Sequence, residues 1–210
     1  MNGRVISQQK RRKAILSAAA AIFQEKGFSR TNIDDIAANV NTSKATIYKY
    51  FNSKEELFRE AISEEWKSQT DTLLGEFNGD GSFYAQLRKH AKAYLHLMLS
   101  PKIIQNRRVT IAESKNVSSG KEYYETSHLP SHRRLADIFE KQMNAGFLLR
   151  GDPFIAAKTF TILVDGGVTN LLLTNSIDPL SDDQIDQIAD TGVDAFLRCY
   201  HPMLSALPIE

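Results

Sequence analysis

The sequence predicts an all-α protein, and three observations carry that reading. Apolar residues recur at helical spacing in nearly every segment, and no stretch shows sustained strand alternation. The punctuation between segments is that of helix ends, with Ser, Thr or Asp before an apolar run and Gly or Pro after it. The chain has 210 residues, 42% apolar and 24% charged, an ordinary globular composition with length for one large domain or two small ones.

The first helix places Ile15, Leu16, Ala19, Ile22 and Phe23 on one stripe, and Gly27 supplies a left-handed stop. Thr31, with Asp34 three residues on, caps a short helix whose inward face is Ile33, Ile36, Ala37 and Val40. Asn41 follows, a residue type that tolerates positive φ. A second short helix starts near Ser43, turns Ile47 inward and exposes Lys44, Thr46 and Lys49. Ser53 and Glu56 open the next helix, which carries Leu57, Phe58, Ala61 and Ile62 inward and runs to about Leu74.

Further helices are expected at Phe83–Leu99, Lys102–Lys115, Ser131–Ala145, Pro153–Thr174 and Asp182–Tyr200, nine in all. Asp152-Pro153 is a cap followed by proline at the first helical position, and Ser181 begins an S-x-x-Q box. Asn116–Pro130 reads as a loop, a short helix or a lid.

The net charge is only +1, but its distribution is uneven. Residues 1–54 hold ten Lys/Arg against Glu25, Asp34 and Asp35, a local balance of +7, and residues 55–210 carry −6. A basic end set against a neutral-to-acidic body suits a chain that meets a polyanion through that end. The N-terminus lacks the apolar core of a secretory signal, and the lone Cys199 excludes an intramolecular disulfide, so a cytoplasmic location is expected. The longest apolar run, Phe154–Thr174, is interrupted by Lys158, Asp165 and Asn170, which reads as a buried helix and not a membrane span.

Two short helices separated by a tight turn and preceded by a stabilising helix make a helix-turn-helix pattern. Its second helix must present small and polar groups to enter a major groove, and Ser43, Lys44, Ala45 and Thr46 meet that need. Tyr48, Lys49, Tyr50 and Lys54 are placed to reach flanking phosphates, with Thr31 on the opposite side and Arg4 and Lys10–Lys13 extending the basic footprint.

The stretch FQEKGFSRTNIDDIAANVNTSKATIYKYFNSKEELF resembles the N-terminal domain of the TetR family of bacterial transcriptional regulators. The matching residues are Gly27-Phe28, Thr31, Ile36-Ala37, Ser43, Thr46, Tyr48, Phe51, Lys54 and Leu57. Two positions depart from the family pattern. Asn41 stands where a turn glycine is usual, and Thr42 stands where an aliphatic residue is usual, which adds Thr42 to the candidate DNA contacts. RRVTIAES and GFLLRGDPFIAAKTF look like segments of one branch of the family.

The resemblance implies a helix-turn-helix domain at residues 1–54, with the helix that begins at Ser53 leading into a helical effector-binding and dimerisation domain at 55–210. It also implies a palindromic operator in double-stranded DNA, a homodimer paired through helices near 153–174 and 182–200, and repression relieved by a small, largely apolar effector. A constitutive or architectural DNA-binding protein without an effector is the alternative. Gly166-Gly167 and Ala156-Ala157 are the expected points of close helix approach.

Candidate effector contacts are Tyr94, His96, Met98, Tyr123, Tyr124, Phe147 and Asn170. Arg107 and Arg108 could hold an anion or pair with Glu113, and a structural pair is favoured. His128 and His132 stand four apart, a spacing that suits zinc, but Pro130 lies between them and no Cys or carboxylate joins them closely, so no metal is expected. Cys199 reads as a buried structural thiol or an oxidant sensor. No phosphate loop, nucleophile elbow or carboxylate-paired His supports an enzyme, and no cofactor is expected.

Overall fold

A computed structural model describes residues 3–75, 77, 80–113, 121 and 124–203. The described residues form ten α-helices and one π-helical turn, with no strand among them. The helices are α1 (Gly3–Lys26), α2 (Ile33–Asn39), α3 (Lys44–Tyr48), α4 (Lys54–Gly75), α5 (Phe83–Leu99), α6 (Pro101–Glu113), α7 (Leu129–Asn144), α8 (Pro153–Asp165), α9 (Val168–Leu173) and α10 (Asp182–Tyr200), with the π turn at Tyr124–His128. They fall into two compact units, one of Met1–Gln69 with Val109–Tyr123 and one of Thr70–Arg108 with Tyr124–Glu210. The first unit therefore extends past residue 54 along α4, because Leu57, Phe58, Ala61 and Ile62 belong to its core.

In the first unit Ile15, Ala19 and Phe23 of α1, Ile36 of α2 and Ile47 of α3 meet Phe51 and Leu57 in one buried cluster. Phe23, Phe28 and Phe58 pack ring on ring, with centroids 5.0–5.9 Å apart. Gly27 takes φ 77° and ends α1 as expected. The cap of α2 differs from expectation. Asn32 accepts the Asp34 N–H, whereas Thr31 is 4% exposed and its hydroxyl donates to the Gly27 carbonyl at 2.8 Å. Thr31 thus ties the end of α1 to the start of α2.

The second unit is a bundle in which α8 packs against both α7 and α10, and α10 packs against α5. Phe139, Phe160 and Phe196, one from each of α7, α8 and α10, are fully buried with centroids 5.2–5.6 Å apart. Along α5 and α10 the charges interleave: Lys92 bonds Asp186 and Asp190 at 3.2 and 3.0 Å, and Arg88 pairs with Asp190 and Asp194. The Ser181 capping box forms, and Asp152 accepts from the N–H groups of Phe154 and Ile155 at the head of α8.

Several expectations for this unit are corrected. The single helix Pro153–Thr174 is two helices, because Gly166 and Gly167 both take positive φ (55° and 81°) and the Asp165 carboxylate accepts the Gly167 N–H and the Thr169 hydroxyl. That break supplies the tenth helix. Nor is the segment buried all round, since Ile155, Ile162 and Leu171 are 57, 66 and 45% exposed. A close helix approach not expected from the sequence lies at Gly192 of α10, where a Cβ would stand 2.5 Å from the Leu163 carbonyl oxygen of α8. Ala156 and Ala157 are buried as ordinary core. Cys199 is exposed, not buried. Helix α7 starts at Leu129, two residues before the expected Ser131, and α6 at Pro101, one residue before the expected Lys102. Most of Asn116–Tyr123 and the Glu113 side chain lie outside the described residues, and Arg108 instead donates to the Leu172 and Leu173 carbonyls and to Asn175.

Candidate nucleic-acid interface and ligand cavity

The turn before α3 is built from backbone geometry. Helix α2 ends in a Schellman arrangement: Asn41, at φ 49°, donates its N–H to Ala38, and Thr42 donates to Ala37 at 2.9 Å. Asn is the non-glycine residue that visits this region most readily, so the missing turn glycine leaves the geometry intact. Ser43 then caps α3, accepting the Thr46 N–H at 3.1 Å.

Helix α3 has one buried side chain, Ile47, so its other positions are turned outward. Ser43, Lys44, Ala45, Tyr48 and Lys49 are exposed, while Thr42, Thr46, Tyr50 and Lys54 are half-buried. Several polar groups are already oriented. Arg11 of α1 donates to the Thr42 hydroxyl at 3.1 Å, and Lys44 lies 3.0 Å from Asp34 of α2. Lys54 sits 4.5 Å from the centre of the Phe28 ring. Arg12 pairs with Glu60, and Lys13 lies 3.8 Å from Glu64, so only part of the basic footprint is uncommitted. The Arg4 side chain lies outside the described residues.

The second unit holds a cavity of about 420 Å³. Tyr94 and Met98 of α5, Arg107 of α6 and Asn170 of α9 line it, as the sequence suggested. His128 of the π turn, His132 of α7, Lys158, Thr161, Ile162 and Asp165 of α8, and Gly167 and Thr169 complete the wall. Three expected contacts are elsewhere. His96 bonds Asp186 at 2.8 Å in the α5–α10 charge ladder. Tyr124 is 40% exposed with its ring against that of His128, and Phe147 is 45% exposed and packs on Phe83 and Tyr84. Tyr123 lies outside the described residues. The lining mixes apolar and polar groups.

Burial pushes the Tyr94 hydroxyl up to about 12, with the Asp165 charge adding and Arg107 opposing. Burial likewise pushes His128 down to about 4, helped by the nearby Arg107 cation and by His132. His132 is lowered by burial and by Lys158, against the bond from its ring to the His128 carbonyl. That 2.9 Å bond makes Nδ1 the protonated nitrogen and leaves Nε2 facing the Thr161 hydroxyl at 3.2 Å. Among the described residues no group of three or more His, Cys, Asp or Glu is arranged to hold a metal, and no helix is long and apolar enough to cross a membrane.

A family model described as bacterial regulatory proteins, tetR family, matches residues 15–61, and another, the AefR-like transcriptional repressor C-terminal domain, matches residues 85–202. The chain belongs to the TetR family. It is therefore a DNA-binding transcriptional regulator, and α2, α3 and the turn between them lie within the match to the family's N-terminal model. A TetR-family regulator from Mesorhizobium loti MAFF303099 has the same fold with a TM-score of 0.82 at 25% identity, covering 92% of this chain and 98% of that one. The flavonoid-responsive regulator FrrA gives a TM-score of 0.67 at 31% identity, covering 92% and 98%. IcaR of Staphylococcus epidermidis, a negative transcriptional regulator of the biofilm operon icaADBC, is 26% identical over 129 residues, 55% of this chain and 70% of that protein.

Proposed function

We propose that this TetR-family member is a ligand-responsive repressor that acts in the cytoplasm as a homodimer on a palindromic operator. The observation that carries the reading is the pairing of an outward-turned α3 in one unit with a polar-walled cavity in the other. Thr42, Ser43, Lys44, Ala45 and Thr46 face the major groove, and Tyr48, Lys49, Tyr50 and Lys54 bind flanking phosphates. Thr31 drops out of that set, because its hydroxyl is spent inside the fold. Related repressors such as IcaR and the flavonoid responsiveness of FrrA support repression and effector control respectively. The function is regulatory and not enzymatic.

The dimer forms through α8, α9 and α10. Ile155 and Leu171 are large apolar residues exposed on this segment, and such groups mark an interaction surface. Helix α6 supplies the link to regulation. Arg107 lines the cavity, and Val109, two residues along the same helix, packs against the core that supports α3. A ligand that selects one position of α6 would change the spacing of two recognition helices in the dimer and so release the operator.

Ile155→Glu tests the dimer. Sedimentation should show a shift from dimer to monomer with loss of operator binding, because a charge then sits in the apolar seam. An unchanged dimer would place the interface elsewhere.

A further inference from the structure

Six ionisable side chains face the cavity, and their balance is not neutral. Arg107 of α6 and Lys158 of α8 are cations, and the Lys158 ammonium lies 5.9 Å from the centre of the Phe154 ring. The one carboxylate, Asp165, has both oxygens engaged at its own corner, by the Gly167 N–H and the Thr169 hydroxyl. Tyr94 of α5 stays a neutral phenol and offers a donor. His128 and His132 are held neutral, each by burial beside a cation. The wall thus holds two cations against one engaged carboxylate, with a phenolic donor and two neutral imidazoles beside them.

We propose that the cavity binds a compact organic anion, a carboxylate or phenolate on an aromatic or branched apolar body, whose charge is matched by Arg107 and Lys158. This rests on the reading of the cavity as the effector site. The volume of about 420 Å³ suits a one- or two-ring body, and Met98 and Ile162 supply apolar wall for it. A cationic ligand meets two like charges and a carboxylate already occupied. A neutral ligand gains no charge pairing from either cation, whereas an anion pairs with both.

The test uses three molecules of nearly one shape and different charge: 2-naphthoate, 2-naphthamide and 2-naphthylmethylammonium. Each is titrated into the full-length protein by calorimetry, with melting temperature as a second reading. The naphthoate should bind at least about tenfold tighter than the amide, an amount one good ion pair supplies. Arg107→Gln and Lys158→Gln should each shrink the preference for the anion without weakening the amide; Lys158 is exposed, so its variant folds normally. Equal or tighter binding of the amide or the ammonium would overturn the anion assignment and leave the effector site standing. No binding by any of the three would overturn both.

Discussion

Helix α3 and the cavity solve two recognition problems by different means. Helix α3 is five residues long, is anchored by one buried side chain, Ile47, and takes its aim from the Asn41 turn and the Ser43 cap. Almost everything that orients it is within a few residues in sequence. The cavity gathers its wall from α5, α6, the π turn, α7, α8 and α9, which span residues 94 to 170. A contiguous recognition helix is robust to change elsewhere in its unit as long as its core holds. A convergent cavity depends on the packing of every helix that contributes to it.

The largest expected effect tests that dependence. Phe160 is fully buried between Phe139 and Phe196, so Phe160→Ala should cost about 3–5 kcal/mol and lower the melting temperature of the second unit markedly. A shift of a degree or less would mean the aromatic cluster does not hold α7, α8 and α10 together. Gly192→Ala comes next. Its methyl would press on the α8 backbone at 2.5 Å, where no flexible side chain can yield, and the strain should cost about 1–3 kcal/mol. Denaturant unfolding of the variant measures it directly.

On the recognition side the effects are smaller and appear in DNA binding, not in stability. Lys44→Ala should weaken operator binding by about 1–2 kcal/mol and alter base preference, whereas Lys54→Ala should weaken binding to all sequences alike and flatten the salt dependence. Competition among point-substituted operators distinguishes the two. The Lys44–Asp34 bond adds a refinement: Asp34→Asn, by freeing the ammonium, should tighten binding slightly.

The cavity side also carries a pH dependence. His128 has a folded-state value near 4 against an ordinary 6.5, so the folded protein resists its protonation. Above pH 6.5 neither state carries that proton. Between 6.5 and 4 the unfolded chain takes it up first, so stability should fall as pH falls, by up to about 3 kcal/mol, and level off below 4. Melting curves of the native protein and of His128→Gln across that window should converge at acid pH if the histidine is responsible.

The same contrast explains what the sequence revealed. Helix-turn-helix geometry was legible because its determinants are local: Gly27, Asn41, Ser43 and the Ile47 anchor act on their own neighbours. The Thr31 cap was misread because Asn32, one residue on, offers an equally good oxygen, and tertiary packing decides between them. The cavity was half legible. Tyr94, Met98, Arg107 and Asn170 line it, but His96 is captured by aspartates of α10, some ninety positions away in the chain, which no local pattern announces. A usable signal was nonetheless present. Lys158, Asp165 and Asn170, the residues that interrupt the long apolar run, all line the cavity. Polar groups in an otherwise apolar helix need partners or solvent, and here the cavity supplies the place for them. The break at Gly166-Gly167 was missed because paired glycines fit equally a close helix contact or a left-handed corner.

The most direct measurement is fluorescence anisotropy of the protein on the DNA flanking its own gene, against scrambled DNA of the same length, at several salt concentrations. Tight, sequence-selective binding at one dimer per palindrome is expected, with the base preference altered in Lys44→Ala. Equal affinity for scrambled DNA, falling steeply with salt, would reduce α3 to part of a basic patch and contradict it.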